Sequence, residues 1–265
     1  HTGGRLGYAR PGADLTQPWS FFPISGKEGW GRYQHGLGFG DVNGDKKPDF
    51  LMVNGWWEQP AGKEPGDPAG VTTWKKHAVR LGTRGGSHMY TYDVDGDGDM
   101  DIIASLDAHN YGLAWMEQVR KNGEITFNRH EIMGSKPEHN AYGVKFSQMH
   151  SVCLVDMDGD GLKDIITGKR FWAHGPKGDS EPGAPAVLYW FKLVRSKKDG
   201  VHYIPYQIDD DSGVGTQFTV GDLTGDGNPD VVTGNKKGGY VFIQEVKKVS
   251  KDEWRKAQPK RLNNR

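Results

Sequence analysis

Asp93-Val-Asp95-Gly-Asp97-Gly-Asp99-Met-Asp101 decides the reading of this chain. It places oxygen-bearing side chains at alternating positions of a tight, glycine-containing loop, the arrangement a hard cation needs. The same pattern recurs three times: Asp41-Val-Asn43-Gly-Asp45-Lys-Lys-Pro-Asp49, Asp156-Met-Asp158-Gly-Asp160-Gly-Leu-Lys-Asp164 and Asp222-Leu-Thr224-Gly-Asp226-Gly-Asn228-Pro-Asp230. The first aspartates stand at 41, 93, 156 and 222, at intervals of 52, 63 and 66 residues. Self-similarity at such spacing marks a repeat architecture.

Each loop lies between two strand-like runs. Leu37-Gly-Phe39, Met89-Tyr-Thr-Tyr92, Val152-Cys-Leu154 and Phe218-Thr-Val220 precede it; Phe50-Leu-Met-Val53, Ile102-Ile-Ala104, Ile165-Ile-Thr167 and Val231-Val-Thr233 follow. A third strand recurs at Trp56-Trp57-Glu58, Leu113–Glu117, Val187–Phe191 and Tyr240–Ile243. A fourth recurs at Trp74–Val79, Phe127–Ile132 and Tyr203–Ile208. Four short strands per repeat with one fixed loop predict an all-β fold: a β-propeller of four-stranded antiparallel blades, about five in number, with Asp-rich calcium loops between strands one and two. Leu6–Ala9 and Trp19–Ile24 match third and fourth strands, so residues 1–30 read as a partial blade. The expected propeller domain is 1–246, and 247–265 is a basic tail, a helix or linker. The tail carries eight Lys/Arg against two acids, and Ser250-Lys-Asp-Glu253 has the capping-box pattern of a helix start.

The remaining composition excludes several classes. Across 265 residues, 34 Lys+Arg balance 34 Asp+Glu, which argues against a dedicated nucleic-acid binder. There is no apolar run near the ~18 residues of a membrane helix. Glycine, at 39 residues, and nine tryptophans suit short strands, tight turns and an aromatic core. The single Cys153 excludes an intramolecular disulfide. The opening His1-Thr2-Gly3-Gly4 reads as a mature or excised chain.

In the loops, the candidate metal ligands are Asp41, Asn43, Asp45 and Asp49; Asp93, Asp95, Asp97 and Asp101; Asp156, Asp158, Asp160 and Asp164; and Asp222, Thr224, Asp226 and Asp230, for up to four calcium ions. An EF-hand would need a bidentate Glu at position 12, where this chain has Met52, Ala104, Thr167 and Thr233. The loop from Asp93 is richest in carboxylates and is expected to bind tightest. The loop from Asp41 holds Lys46 and Lys47, and that from Asp222 has Thr224 at position 3, so these two are expected to be weak or empty.

These stretches resemble FG-GAP/VCBS-type repeats, the calcium-loop blades of integrin-like propellers, over residues ~30 to 245. Trp56-Trp57-Glu58-Gln59-Pro60, Lys169–Pro176 and Asp209–Gly215 look like a subgroup of secreted bacterial (planctomycete-like) VCBS-repeat proteins. The resemblance implies structural calcium and export to the periplasm or outside. It also touches sugar dehydratases with a propeller of similar type, a fold-level likeness only.

Blade geometry gathers other residues at the opposite end of the strands, near the central channel. His35, His88, His150 and Thr216-Gln217 stand just before strand one. Asn54 with Trp56, Asp107 with His109, Lys169 and Arg170 with Trp172 and His174, and Asn235 with Lys236 stand after strand two. His35, His88, His109, His150, Lys169, Arg170 and His174 are candidate catalytic residues; Trp56, Trp172, Asn54, Asn235 and Lys236 are candidate ligand contacts. A histidine there can simply bond a neighbouring blade, line a pocket for sugars or acidic sugars, or bind zinc or a similar transition ion. The loop Arg32-Tyr33-Gln34 and the inserts 134–146 and 173–185 add candidates, His139 and Tyr142 among them. Trp57, Trp115 and Trp190 recur at one strand position and read as core. Three functions follow as expectations: a recognition module for carbohydrate or another extracellular ligand, a sugar lyase or dehydratase acting through the His/Lys/Arg mouth, or a protein-docking scaffold.

Overall fold

The computed structural model describes residues 3–31, 33–61 and 73–262; Arg32 lies outside them. The fold is all-β and consistent with a propeller. The first unit is β3 (Leu37–Gly40), β4 (Asp49–Met52), β5 (Gly55–Glu58) and β6 (Lys75–His77). The second is β7 (Met89–Tyr92), β8 (Asp101–Ser105), β9 (Leu113–Lys121) and β10 (Glu124–Met133). The third is β11 (Val152–Val155), β12 (Asp164–Gly168), β13 (Leu188–Ser196) and β14 (Gly200–Asp209). The fourth has three strands, β15 (Phe218–Gly221), β16 (Asp230–Asn235) and β17 (Gly238–Phe242). A hairpin of β1 (Gly7–Arg10) and β2 (Ser20–Pro23) precedes them. Within each unit, sequential strands pair antiparallel.

The first two units depart from separate blades. They join into one eight-stranded sheet through a parallel bridge between β3 and β7, Gly38 to Met89. A Cβ on Gly38 would stand 2.7 Å from the Met89 Cβ and carbonyl oxygen, so glycine permits the approach.

Apolar clusters lie between successive units. Leu6 and Ile24 of the N-terminal segment pack with Phe50, Met52, Trp57 and Trp74. Val42, Leu51 and Trp56 pack with Met89, Ile102 and Met116. Val94, Ile103 and Trp115 pack with Val152, Ile165 and Phe191, and Met157, Ile166 and Leu188 with Val214 and Val231. The second strands β4, β8 and β12 are buried along their whole length. Covered on both faces, they read as continuous apolar runs rather than alternating ones.

Position 2 of the first three loops belongs to these interfaces. Val42, Val94 and Met157 are buried, whereas Leu223 is 55% exposed. Val241 and Ile243 of the same unit are also exposed, as are Leu37 and Phe39 on β3.

After β17 the chain runs without a strand to a helix, α1 (Lys251–Ala257). Ser250 Oγ accepts from the Glu253 N–H, and the Glu253 carboxylate accepts from the Ser250 N–H, the reciprocal cap its sequence predicts. The following residues lie along the third unit. Tyr206 donates to Gln258 Oε1 at 2.5 Å, and the Leu262 N–H donates to the Ala141 carbonyl at 2.8 Å.

Candidate functional site

The loops that carry the candidate histidines are shaped by main-chain geometry before any side chain enters. Gln148 takes a left-handed φ of 62°, a conformation that costs a non-glycine residue about 1 kcal/mol or more. It is held there from several sides: its N–H donates to the Asn110 carbonyl, its side-chain amide to the Ser180 carbonyl, and its own carbonyl accepts from the Arg170 N–H. This fixed turn delivers His150 to the mouth two residues on. Asp107 Oδ1 accepts from the His109 and Asn110 N–H groups at 3.0 and 3.2 Å, which turns the chain after β8 and presents His109. Gly85 runs beneath His35, where a Cβ would stand 2.2 Å from its carbonyl oxygen.

These turns bring histidines from three units together. One nitrogen from each of His35, His109 and His150 falls within 4.8 Å of the others. His109 Nε2 and His35 Nε2 are 3.0 Å apart. Behind them, His109 Nδ1 is 2.7 Å and His174 Nδ1 3.0 Å from Asp179, whose carboxylate is covered, and Arg170 Nη2 is 3.4 Å from the same carboxylate. Arg170 Nη2 also lies 3.1 Å from His109 Nδ1. That nitrogen cannot both donate to Asp179 and accept from Arg170; the shorter, charge-assisted contact to the carboxylate assigns it the proton. On the other side Arg84 Nε is 3.2 Å from Asp107. A cavity of about 850 Å³ opens over this group, lined also by Tyr33, Lys177 and Ser180.

Electrostatics follow from burial. Burial lowers the His35 pKa, assisted by the charges of His109 and Arg170. Burial, Arg170 and His35 push His150 down to about 4. Both rings are therefore neutral near pH 7, the state in which imidazole accepts. For Asp179 burial acts upward, but the hydrogen bonds from His174 and His109 outweigh it and its pKa is lowered.

The other candidates are placed elsewhere. His88 is exposed, with Nε2 3.3 Å from the Gln217 amide. Lys169 is wholly buried, its Nζ 3.2 Å from Ser147 Oγ; burial pushes its pKa down to about 8, yet it does not line the cavity. Trp56 is 1% exposed and stacked on His77, with ring centroids 3.9 Å apart, so its face is not open to a ligand. Asn54 is partly buried. Asn235 donates to the Ser212 carbonyl. Trp172 is exposed, with Lys236 Nζ 5.5 Å over its ring and 2.9 Å from the Ala173 carbonyl. His139 pairs with Glu131 at 2.9 Å, and Tyr142 meets Arg261 of the tail, both away from the mouth cavity. Asp179, Arg84 and Lys177 were not singled out by sequence; Asp179 and Lys177 fall in the 173–185 insert, whose length was their only signal.

At the opposite end of the strands, the aspartate loops share one construction. The position-1 carboxylates of Asp41, Asp93, Asp156 and Asp222 accept from the glycine N–H three residues on, at 2.6 to 2.8 Å. The position-9 carboxylates of Asp49, Asp101, Asp164 and Asp230 are buried. One oxygen of each accepts from the position-2 N–H, and the other from an N–H at or just beyond the third strand: Gln59, Gln118, Leu193 and Gln244. Burial pushes Asp49, Asp101 and Asp164 up to about 6 against these bonds. Among the described residues, Asp93/Asp95/Asp101 and Asp156/Asp158/Asp164 converge closely enough for a cation. In the second set Lys192 already bonds Asp158 and Asp160. In the first, burial raises the Asp95 pKa, as do the charges of Asp97, Asp93 and Glu117.

Residues 214–243, the fourth unit with its loop, match the FG-GAP repeat family. No curated protein matches the chain. FG-GAP repeats occur in extracellular binding modules and typically bind calcium. No helix among the described residues is long and apolar enough to cross a membrane.

Proposed function

We propose that this protein is an extracellular, calcium-stabilised recognition module of propeller type that binds an acidic carbohydrate at the channel mouth. The observation that carries the reading is the 850 Å³ cavity lined by Arg84, Arg170 and Lys177 beside imidazoles and Tyr33. A cavity of that size admits a sugar unit or two. Guanidinium groups suit its carboxylate and the remaining donors its hydroxyls. Glycan arrays followed by calorimetry test it. Uronate-containing glycans are expected to bind. Arg84→Ala and Lys177→Ala, both at the rim, are expected to weaken binding about tenfold each, or ~1.4 kcal/mol, with melting temperature unchanged. Failure of every uronate glycan to bind, or full affinity in both variants, overturns the reading.

One contact favours a second reading, a sugar lyase or dehydratase. His109 backed by Asp179 at 2.7 Å is oriented as a general base must be. Lys169, being buried, would not share that role. Unsaturated uronide released from such glycans, followed by ultraviolet absorbance and lost in His109→Ala, would establish turnover.

Calcium is assigned chiefly to the loop from Asp93, where Asp93, Asp95 and Asp101 converge and the nearby cation, Arg195, stands no closer than 3.8 Å to the Asp93 carboxylate, whereas Lys192 bonds directly into the loop from Asp156. Its role is to offset carboxylate repulsion and so stabilise the blades. At the loop from Asp156, Lys192 stands in competition with the ion. Lys192→Met is therefore expected to enlarge the rise in melting temperature on adding calcium. An unchanged or smaller rise would show that Lys192 does not compete.

A further inference from the structure

We infer that His35, His109 and His150 form a binding site for one divalent first-row transition ion of the zinc type. The three rings come from three different units, so no local chain geometry forces them together. Tetrahedral zinc at ~2.0–2.1 Å from its ligands sets nitrogens about 3.3 Å apart. His35 Nε2 and His109 Nε2 stand at 3.0 Å, with the third nitrogen inside 4.8 Å.

The groups behind the rings carry the argument further. His109 Nδ1 is 2.7 Å from Asp179, and His150 Nδ1 is 3.3 Å from the Thr216 carbonyl. Both contacts place the proton on Nδ1 and leave an Nε2 lone pair. A carboxylate or carbonyl behind an imidazole is the usual outer support of a metal-binding histidine. A plain hydrogen bond between His35 and His109 would account for two rings but not for the third. Arg170 approaches His109 on its Nδ1 side and is balanced by Asp179. Three imidazole nitrogens suit a borderline-soft ion and not calcium. Because all three rings line the cavity, a fourth position is left for water or a ligand oxygen.

The site shares the cavity of the carbohydrate reading but does not depend on it. The full chain, stripped with chelator and resupplied with calcium, is titrated with Co²⁺ by visible absorbance. The expected result is an intense low-coordinate d–d band saturating at one equivalent and displaced by zinc. His35→Ala and His150→Ala are expected to lose the band with melting temperature retained. Asp179→Asn is expected to weaken cobalt binding about 10–100-fold; if that variant does not fold, the two histidine variants decide. No band at one equivalent, or a band that survives both histidine substitutions, overturns the inference. Glycan binding is measured on the stripped and the loaded protein. Glycan binding without a cobalt site removes the metal alone, and a cobalt site without glycan binding removes the carbohydrate alone.

Discussion

Asp164→Ala is expected to destabilise the protein by about 3–5 kcal/mol, measured by denaturant unfolding in excess chelator so that calcium does not contribute. The carboxylate is fully buried. Its Oδ1 accepts from the Leu193 N–H at 2.8 Å, and its Oδ2 from Trp190 Nε1 at 2.8 Å and from the Met157 N–H at 3.2 Å. Hydrogen bonds to a charged group contribute roughly 1.5–3 kcal/mol each, and a buried donor left without a partner costs about 1–3 kcal/mol. Three donors lose their acceptor together. Against this stands the cost of burying the carboxylate, visible in its pKa near 6, which removal relieves. The balance falls on destabilisation because the alanine leaves a void lined by N–H groups, not by carbon. Asp160, exposed in the same loop, is the comparison: Asp160→Ala is expected to stay within about 0.5 kcal/mol. If both substitutions cost the same, the position-9 aspartate is not the latch that ties its loop to the third strand.

That latch shows where sequence reading stops. Strand order, loop spacing and the helix cap at Ser250 were all legible, because each leaves a periodic or local residue pattern. The second anchor of position 9 is a main-chain N–H about 10 to 29 residues away, and a main-chain partner leaves no residue signature. Asp49, Asp101, Asp164 and Asp230 therefore looked like metal ligands alone. Trp56 failed for a related reason. Consecutive residues on a strand face opposite sides, so a Trp-Trp pair suggests one ring inside and one outside. Here β5 lies between two neighbours: Trp56 packs toward the second unit and Trp57 toward the N-terminal segment, and both are buried. At the mouth, His35 and His150 were legible because they recur just before strand one; His88 recurs there too but is exposed and stays outside the cluster, and His109 joins it from the turn after strand two. Asp179 sits in an insert with no counterpart in the other units, so nothing repeats to point at it.

Repetition also turns one difference into a test of the fourth unit's free face. Met157→Ala is expected to cost about 2–5 kcal/mol, as loss of a large apolar side chain from a packed core does. Met157 is 6% exposed and clusters with Ile166, Leu188, Val214 and Val231. Its carbonyl accepts from Gln244 Nε2 at 3.0 Å, as the Val42 carbonyl accepts from Gln118 at 3.2 Å and the Val94 carbonyl from Arg195 Nε at 2.9 Å. In each case a side chain on or after the third strand of one unit closes over position 2 of the unit before. Leu223 holds the same loop position but is 55% exposed, so Leu223→Ala is expected to change stability by no more than about 0.5 kcal/mol. The two variants are compared by denaturant unfolding at two protein concentrations, with size-exclusion chromatography alongside. Equal, large losses would mean that Leu223 is covered in solution. If its loss also grew with protein concentration, the cover would be a second copy of the chain. A large loss for Met157 alone would fit a face with the composition of an interior that stays open in solution, with Val241 and Ile243 of the same unit exposed as well.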